Sequence, residues 1–231
     1  MKLLAFETAT EACSVAVWID GEVHERFEVA PRRHAELALP WAEALLADAG
    51  IARAQLDAIA VGRGPGAFTG VRLAIALAQG IALALDRPVV PVSTLAVLAM
   101  HAPAGKVLAA IDARMGEVYA GLFSRDGEGV ATMGPESVSP PDAGVLPGDD
   151  PGWHGVGTGF GAVEGALRDA LAPRLASVQA TALPRASHLA HLASAAFARG
   201  EAVAPERLEP AYLRDNVALT LEQQAALRAA R

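Results

Sequence analysis

Gly62, Gly64, Gly66 and Gly70, with Pro65 among them, fall within nine residues that lead into a long apolar run. Glycine turns of this kind cradle phosphates, because bare backbone amides can approach the anion. A phosphate loop of the Walker type also needs a lysine to reach the outer phosphates. The only lysines are Lys2 and Lys106, both outside the segment. Gly62, Gly64 and Ala67 match the GxGxxA spacing of dinucleotide turns. The acidic residue expected after the next strand is missing, since Asp86 precedes that strand and Pro91, Val92 and Ser93 close it. The loop therefore reads as a tight strand-to-helix turn with Thr69 as the helix cap. Two other acidic groups follow strands, Glu7 in FETAT and Asp112 in IDARMG. A carboxylate beside a turn at each place is the chemistry of a magnesium-bound phosphate. Ala9 and Arg114 stand where such turns need glycine, so Glu7, Thr8, Asp112 and Arg114 make at best a vestigial nucleotide site, with Arg114 attracting an anion by charge. GVGTGFGA, residues 155–162, reads more readily as a plain turn than as an adenosine-side remnant.

His188 and His191 share a helical face at i, i+3 without a third ligand beside them, so no metal and no cofactor is expected. Cys13 and Ser14 lie in a strand, no GxSxG elbow occurs, and no base is placed beside them. Catalytic residues are accordingly expected to be none. A nucleotide-dependent transferase and a peptidase are the rival readings.

The elements that must hold these groups alternate between strands and helices. Lys2–Glu7, Ala12–Ile19 and Glu22–Val29 read as strands, joined at Asp20-Gly21 by a two-residue hairpin signal. Val23, Phe27 and Val29 share one face of the third strand, and Glu22, His24, Arg26 and Glu28 the other. A helix is predicted over 34–49, bent by Pro40 and stopped at Gly50, then a strand over 57–62, a helix over 69–86, a strand over Val89–Val92 and a helix over 94–101. APAG, 102–105, is a joint, and the second half opens like the first with strands over 106–112, 117–123 and 129–133. This predicts two lobes of related α/β build, 1–103 with the interface helices and 104–231, the last ~25 residues packing back on the first lobe. Residues 135–152 read as irregular chain, 153–157 as a strand, and helices follow from 162, over 184–199 and, with Thr220 and Gln223 as a capping box, at the C-terminus.

The 69–86 helix carries more apolar surface than a lobe needs. Arg72, Gln79 and Asp86 occupy one narrow arc, whereas a surface helix ordinarily buries a stripe only ~100° wide. Ala76, Gly80 and Ala84 align beside Leu73, Leu77 and Ile81, and the preceding helix adds Leu37, Trp41 and Leu45. Either this helix is central in its own lobe, or these nine residues form a bundle-type partner interface.

With 52% hydrophobic and 19% charged residues in 231, the chain is no disordered tail, and it has apolar surface to spare for a partner. A net charge of -7 excludes a protein that grips nucleic acid alone. One cysteine allows no intrachain disulfide, and the apolar run 71–85 falls short of the ~20 residues that cross a bilayer, so a cytoplasmic protein is expected.

LLAFETATEACSVAV, RRHAELALPWAEALL, AVGRGPGAFTGVRLAIALAQGIA, PVSTLAVLA, IDARMGEVYAGLF and PAYLR together resemble the TsaB (YeaZ) family, from Lys2 to Arg214. Glu7 replaces the aspartate common there, and nothing after Asp215 matches. The resemblance implies a two-lobed actin-like fold of the acetate and sugar kinase/actin superfamily, in which each lobe opens with an acidic, glycine-containing phosphate hairpin. It implies a non-catalytic subunit for N6-threonylcarbamoyladenosine (t6A) modification of tRNA, next to the anticodon. The family's paralogue TsaD holds the metal and transfers the threonylcarbamoyl group; the histidine pair that binds it is missing from VSTLAVLAMHA, which contains only His101. It further implies docking on TsaD through the first two helices, a TsaE ATPase in the full complex, a homodimer when alone, and only indirect contact with tRNA.

Overall fold

The computed structural model describes residues 1–143 and 145–214. Lys2–Glu7 (β1), Ala12–Ile19 (β2) and Glu22–Val29 (β3) form an antiparallel meander, with Asp20 and Gly21 at positive φ in the tight turn. Ala58–Gly62 (β4) and Val89–Val92 (β5) add in parallel beyond β1, giving the order β3-β2-β1-β4-β5. The second sheet repeats the plan with Gly105–Arg114 (β6), Glu117–Arg125 (β7), Val130–Thr132 (β8), a short Ser137–Ser139 (β9) on β7, then Trp153–Val156 (β10) and Leu175–Gln179 (β11). Its order, β11-β10-β6-β7-β8, matches the first position by position when read from the opposite edge.

β1 is central, so its side chains are buried on both faces and read as a continuous apolar run. Leu4 and Phe6 enter the core beneath His34–Asp48 (α1) and Phe68–Leu85 (α2), while Leu3 and Ala5 meet the core on the opposite face. Thr94–Ala99 (α3), capped by Ser93 Oγ, packs against both sheets. Ala166–Leu171 (α4) covers the outer face of the second sheet. Ala186–Ala198 (α5) lies beyond the 102–105 joint yet packs on the first sheet, through Ala186, Leu189, Ala190 and Ala193. Small side chains on α5 let it lie close against β1 and β2.

Several local expectations change. α2 starts at Phe68 after an Ala67 cap position with no side-chain hydrogen bond, so Thr69 lies inside the first turn and is not the cap. The irregular 135–152 stretch contains β9, and the helix expected from 162 is the short α4 between two 3-10 turns, Val163–Gly165 and Ala172–Arg174. β11 was hidden by its composition: LASVQ follows a proline-containing turn and has only two of five residues half-buried, leaving no apolar alternation to read. The capping box at Thr220 and Gln223 lies outside the described residues.

Candidate functional site

α2 crosses from β4 to β5 and lays Val71, Ala74, Ile75, Ala78 and Ala82 on the sheet. Two of its polar side chains, the exposed Arg72 and the half-buried Gln79, bond to the chain that returns over this edge. Gln79 Nε2 donates to the Pro205 carbonyl at 2.9 Å, and Arg72 Nε donates to the Tyr212 hydroxyl at 2.7 Å. Both partners belong to the returning segment 205–214, which also seats Leu208 in the core, donates from Ala211 N to the Arg63 carbonyl at 2.8 Å, and pairs Arg214 with Glu117 on β7. This strap occupies the polar edge of α2, and α1 occupies the other. Between them, among the described residues, the helix stays open.

The open arc carries Ala76, Gly80, Leu83 and Ala84, all exposed, Leu83 by 56%. Leu73, Leu77 and Ile81 are half-buried toward α1, where Ile81 lines a cleft of about 250 Å³ with Leu39 and Ala42. Leu37 and Trp41 are half-buried against the core beneath α1. Leu45 must leave the set: it is 5% exposed, because α1 turns Ala38, Ala42, Leu45 and Leu46 onto the sheet. Leu39, 44% exposed, lies on the open side, a position the stripe of Leu37, Trp41 and Leu45 did not indicate. By length and composition α2 resembles a membrane span, with 33% of it buried. Both of its ends are tied into parallel strands of one sheet, which a bilayer crossing would tear apart.

The four residues of the vestigial nucleotide site are not brought together. Glu7 is 1% exposed; its Oε1 accepts from Ala9 N at 2.9 Å and its Oε2 from Thr94 Oγ1 at 3.1 Å. Thr8 is buried and donates to the Gly70 carbonyl at 2.7 Å. Asp112 and Arg114 instead border a cavity of about 960 Å³ between the lobes, where Arg114 Nη1 pairs with Asp112 Oδ2 at 2.8 Å. That pairing, within its own hairpin, sets the Arg114 charge against a carboxylate. Arg114 and Met115 both hold positive φ, a conformation that side chains rarely adopt and that strains the hairpin tip. Thr158, from the 155–162 turn, accepts from Asp112 N at 3.2 Å, and Gly157 and Gly159 sit where a Cβ would strike the Ala110 backbone. That turn is shaped by packing on β6.

Burial of Glu7 pushes its carboxyl up to about 7, the hydrogen bonds from Ala9, Thr94 and Thr8 opposing. The folded state therefore binds a proton that the unfolded chain, near 4.5, has released. This contribution to stability is present in full below pH about 4.5 and is lost as the pH rises through about 7. A shift of this size corresponds to about 3 kcal/mol. Glu7→Gln is expected to flatten the fall in melting temperature between pH 5 and 8, measured by calorimetry; an unchanged slope would place the titration elsewhere.

The two candidate metal histidines diverge. His188 stacks edge-on against His101, ring centroids 4.6 Å apart, and burial pushes it down to about 4. His191 Nε2 lies 2.5 Å from the Glu128 carbonyl oxygen. Among the described residues no three His, Cys, Asp or Glu side chains gather as a metal site. Cys13 is buried, and its thiol is pushed up to about 11 by desolvation and then by Glu28, the opposite of an activated nucleophile. Sequence reasoning missed the cluster of Phe68, Arg72 and Tyr212, because Tyr212 lies 140 positions beyond Arg72.

The family model described as TsaD, tRNA N6-adenosine threonylcarbamoyltransferase, matches residues 22–221. The chain is 44% identical over 230 residues to the Escherichia coli K12 tRNA threonylcarbamoyladenosine biosynthesis protein TsaB, covering 94% of this chain and 96% of that one. The Haemophilus influenzae protein of the same name is 37% identical, with 94% and 95% covered. A solved structure of YeaZ from Pseudomonas aeruginosa superposes with a TM-score of 0.83 at 46% identity, covering 92% of this chain and 99% of that one.

Proposed function

Because the chain belongs to the TsaB (YeaZ) family and has its two-lobed actin-like fold, we propose that it serves N6-threonylcarbamoyladenosine modification of tRNA as a non-catalytic subunit that binds and stabilises a TsaD paralogue. The pathway is supported by the names of its relatives. The docking role rests on one observation, the open arc of α2 between the strap and α1. Exposed small residues at Ala76, Gly80 and Ala84 let another helix approach closely, and Leu83 and Leu39 supply apolar edges. A face of this kind buries about 800 Å² per partner in a stable complex. Arg72 and Gln79, the polar groups that such burial would leave unpaired, are already engaged by the strap.

A transferase role for the chain alone finds little support, since Glu7 is sealed away from the cavity that Asp112 borders. A peptidase lacks an activated nucleophile at Cys13. We place the complex in the cytoplasm, with a TsaE-like ATPase as a further member and self-association through the same face when the partner is absent. Co-expression with the cognate TsaD is expected to yield a stoichiometric complex that restores t6A, while the isolated chain transfers no threonylcarbamoyl group to tRNA. Transfer by the purified chain alone, read by nucleoside mass spectrometry, would overturn this reading.

A further inference from the structure

Where the interlobe cavity opens beside the first turn of α2, three side chains, two from that turn and one from the strap, stack in the open. The Phe68 and Tyr212 rings lie 6.0 Å apart at 27°, and the Arg72 guanidinium sits 3.6 Å over the Phe68 ring. Phe68 is 54% and Tyr212 50% exposed. Anchoring the strap accounts for the Tyr212 hydroxyl on Arg72 but not for the exposure of Phe68. Arg72 and Arg32, the latter in the cavity lining, have no carboxylate partner among the described residues. The lining carboxylates are Glu11 and Asp112, and Asp112 is taken by Arg114.

We propose that this rim is a contact site for single-stranded RNA, with a base stacked on the Phe68 and Tyr212 pair and the neighbouring phosphates held by Arg72 and Arg32. The proposal rests on the t6A reading, which makes tRNA the substrate of the assembly and its anticodon loop the nearest unpaired segment. Splayed loop bases stack on aromatic rings and guanidinium planes, and each such contact serves any base. The small-residue floor that suits a helical protein partner, Ala76, Gly80 and Ala84, lies further along α2. The chain's charge of -7 means that this rim adds to RNA binding by an assembly and does not bind RNA alone. A direct contact of this kind departs from the indirect one that the resemblance implies.

The test uses the assembled complex with TsaD and an unmodified tRNA transcript, followed by fluorescence anisotropy over a salt series. Phe68→Ala and Tyr212→Ala are each expected to weaken tRNA binding on the order of 5- to 100-fold, and Arg32→Gln to lower the salt slope by about one. Phe68→Leu, which keeps the apolar bulk, should lose affinity as well. Unchanged tRNA affinity in intact complexes overturns the proposal and leaves the t6A reading standing. Loss of TsaD co-purification in the same variants also overturns it, assigning the rim to protein docking. Failure of the wild-type chain to support t6A overturns both.

Discussion

Gly80→Arg is expected to abolish capture of TsaD while leaving the isolated chain at least as stable as the wild type. A Cβ built on Gly80 meets nothing within 4 Å, so the substitution costs no packing within the chain. Replacing glycine in a helix interior even gains up to about 1 kcal/mol. In a docked complex the same arginine would lie unpaired against the small-residue floor formed with Ala76 and Ala84. Burying a charge without a counter-ion costs several kcal/mol, and about 3 kcal/mol already removes more than a hundredfold of affinity. Thermal melting and surface plasmon resonance on the same preparation separate the two effects. Equal affinity for the wild type and Gly80→Arg would show that the open arc of α2 is not where TsaD docks. Leu77→Glu is a poorer probe, because Leu77 is half-buried against the core and a charge there attacks the fold as well.

The strands of both sheets were readable wherever a local signal existed. Asp20-Gly21 announced the first hairpin, and Lys2–Glu7 read as the strand that β1 is. Hairpins follow sequence neighbours, so the repeated opening of the halves could be seen as well. What could not be read was everything set by distant contacts. The partners of Arg72 and Gln79 could not be read, since Tyr212 and Pro205 reach α2 only through the return of residues 205–212. Glu25 sits on the same face of β3 as Val23 and Phe27, which its alternation marks as apolar. Its charge is met by Arg185 and Ser187 near the start of α5 and by Ser14 on β2, contacts no periodicity reports. Leu45 fitted the stripe of α1 equally well as core or as interface. The wheel angle of a helix shows which residues share a face, and the sheet beneath decides which face is down.

Gly70→Ala tests why the glycine segment exists. It lies ten positions before Gly80 on the same helix, yet it is expected to act in the opposite direction. A Cβ on Gly70 would overlap the Thr8 carbonyl oxygen, in the backbone that leaves β1, where no flexible side chain can give way. The two segments are pinned further by the Thr8 hydroxyl on the Gly70 carbonyl at 2.7 Å. α2 would have to lift from the first lobe, loosening the contacts of Val71 and Ala74 beneath it. Overpacking against a rigid neighbour costs about 1–3 kcal/mol or more, and the upper end of that range is expected here. For a chain of this length about 3 kcal/mol lowers the melting temperature by roughly 6–12 °C. Gly80→Ala, measured in parallel, should raise it. A loop whose glycines served a phosphate would answer differently: Gly70→Ala would keep its stability and lose only an anion. The close approach of α2 to the end of β1 assigns these glycines to fixing the height and rotation of the helix, and hence the face it holds open.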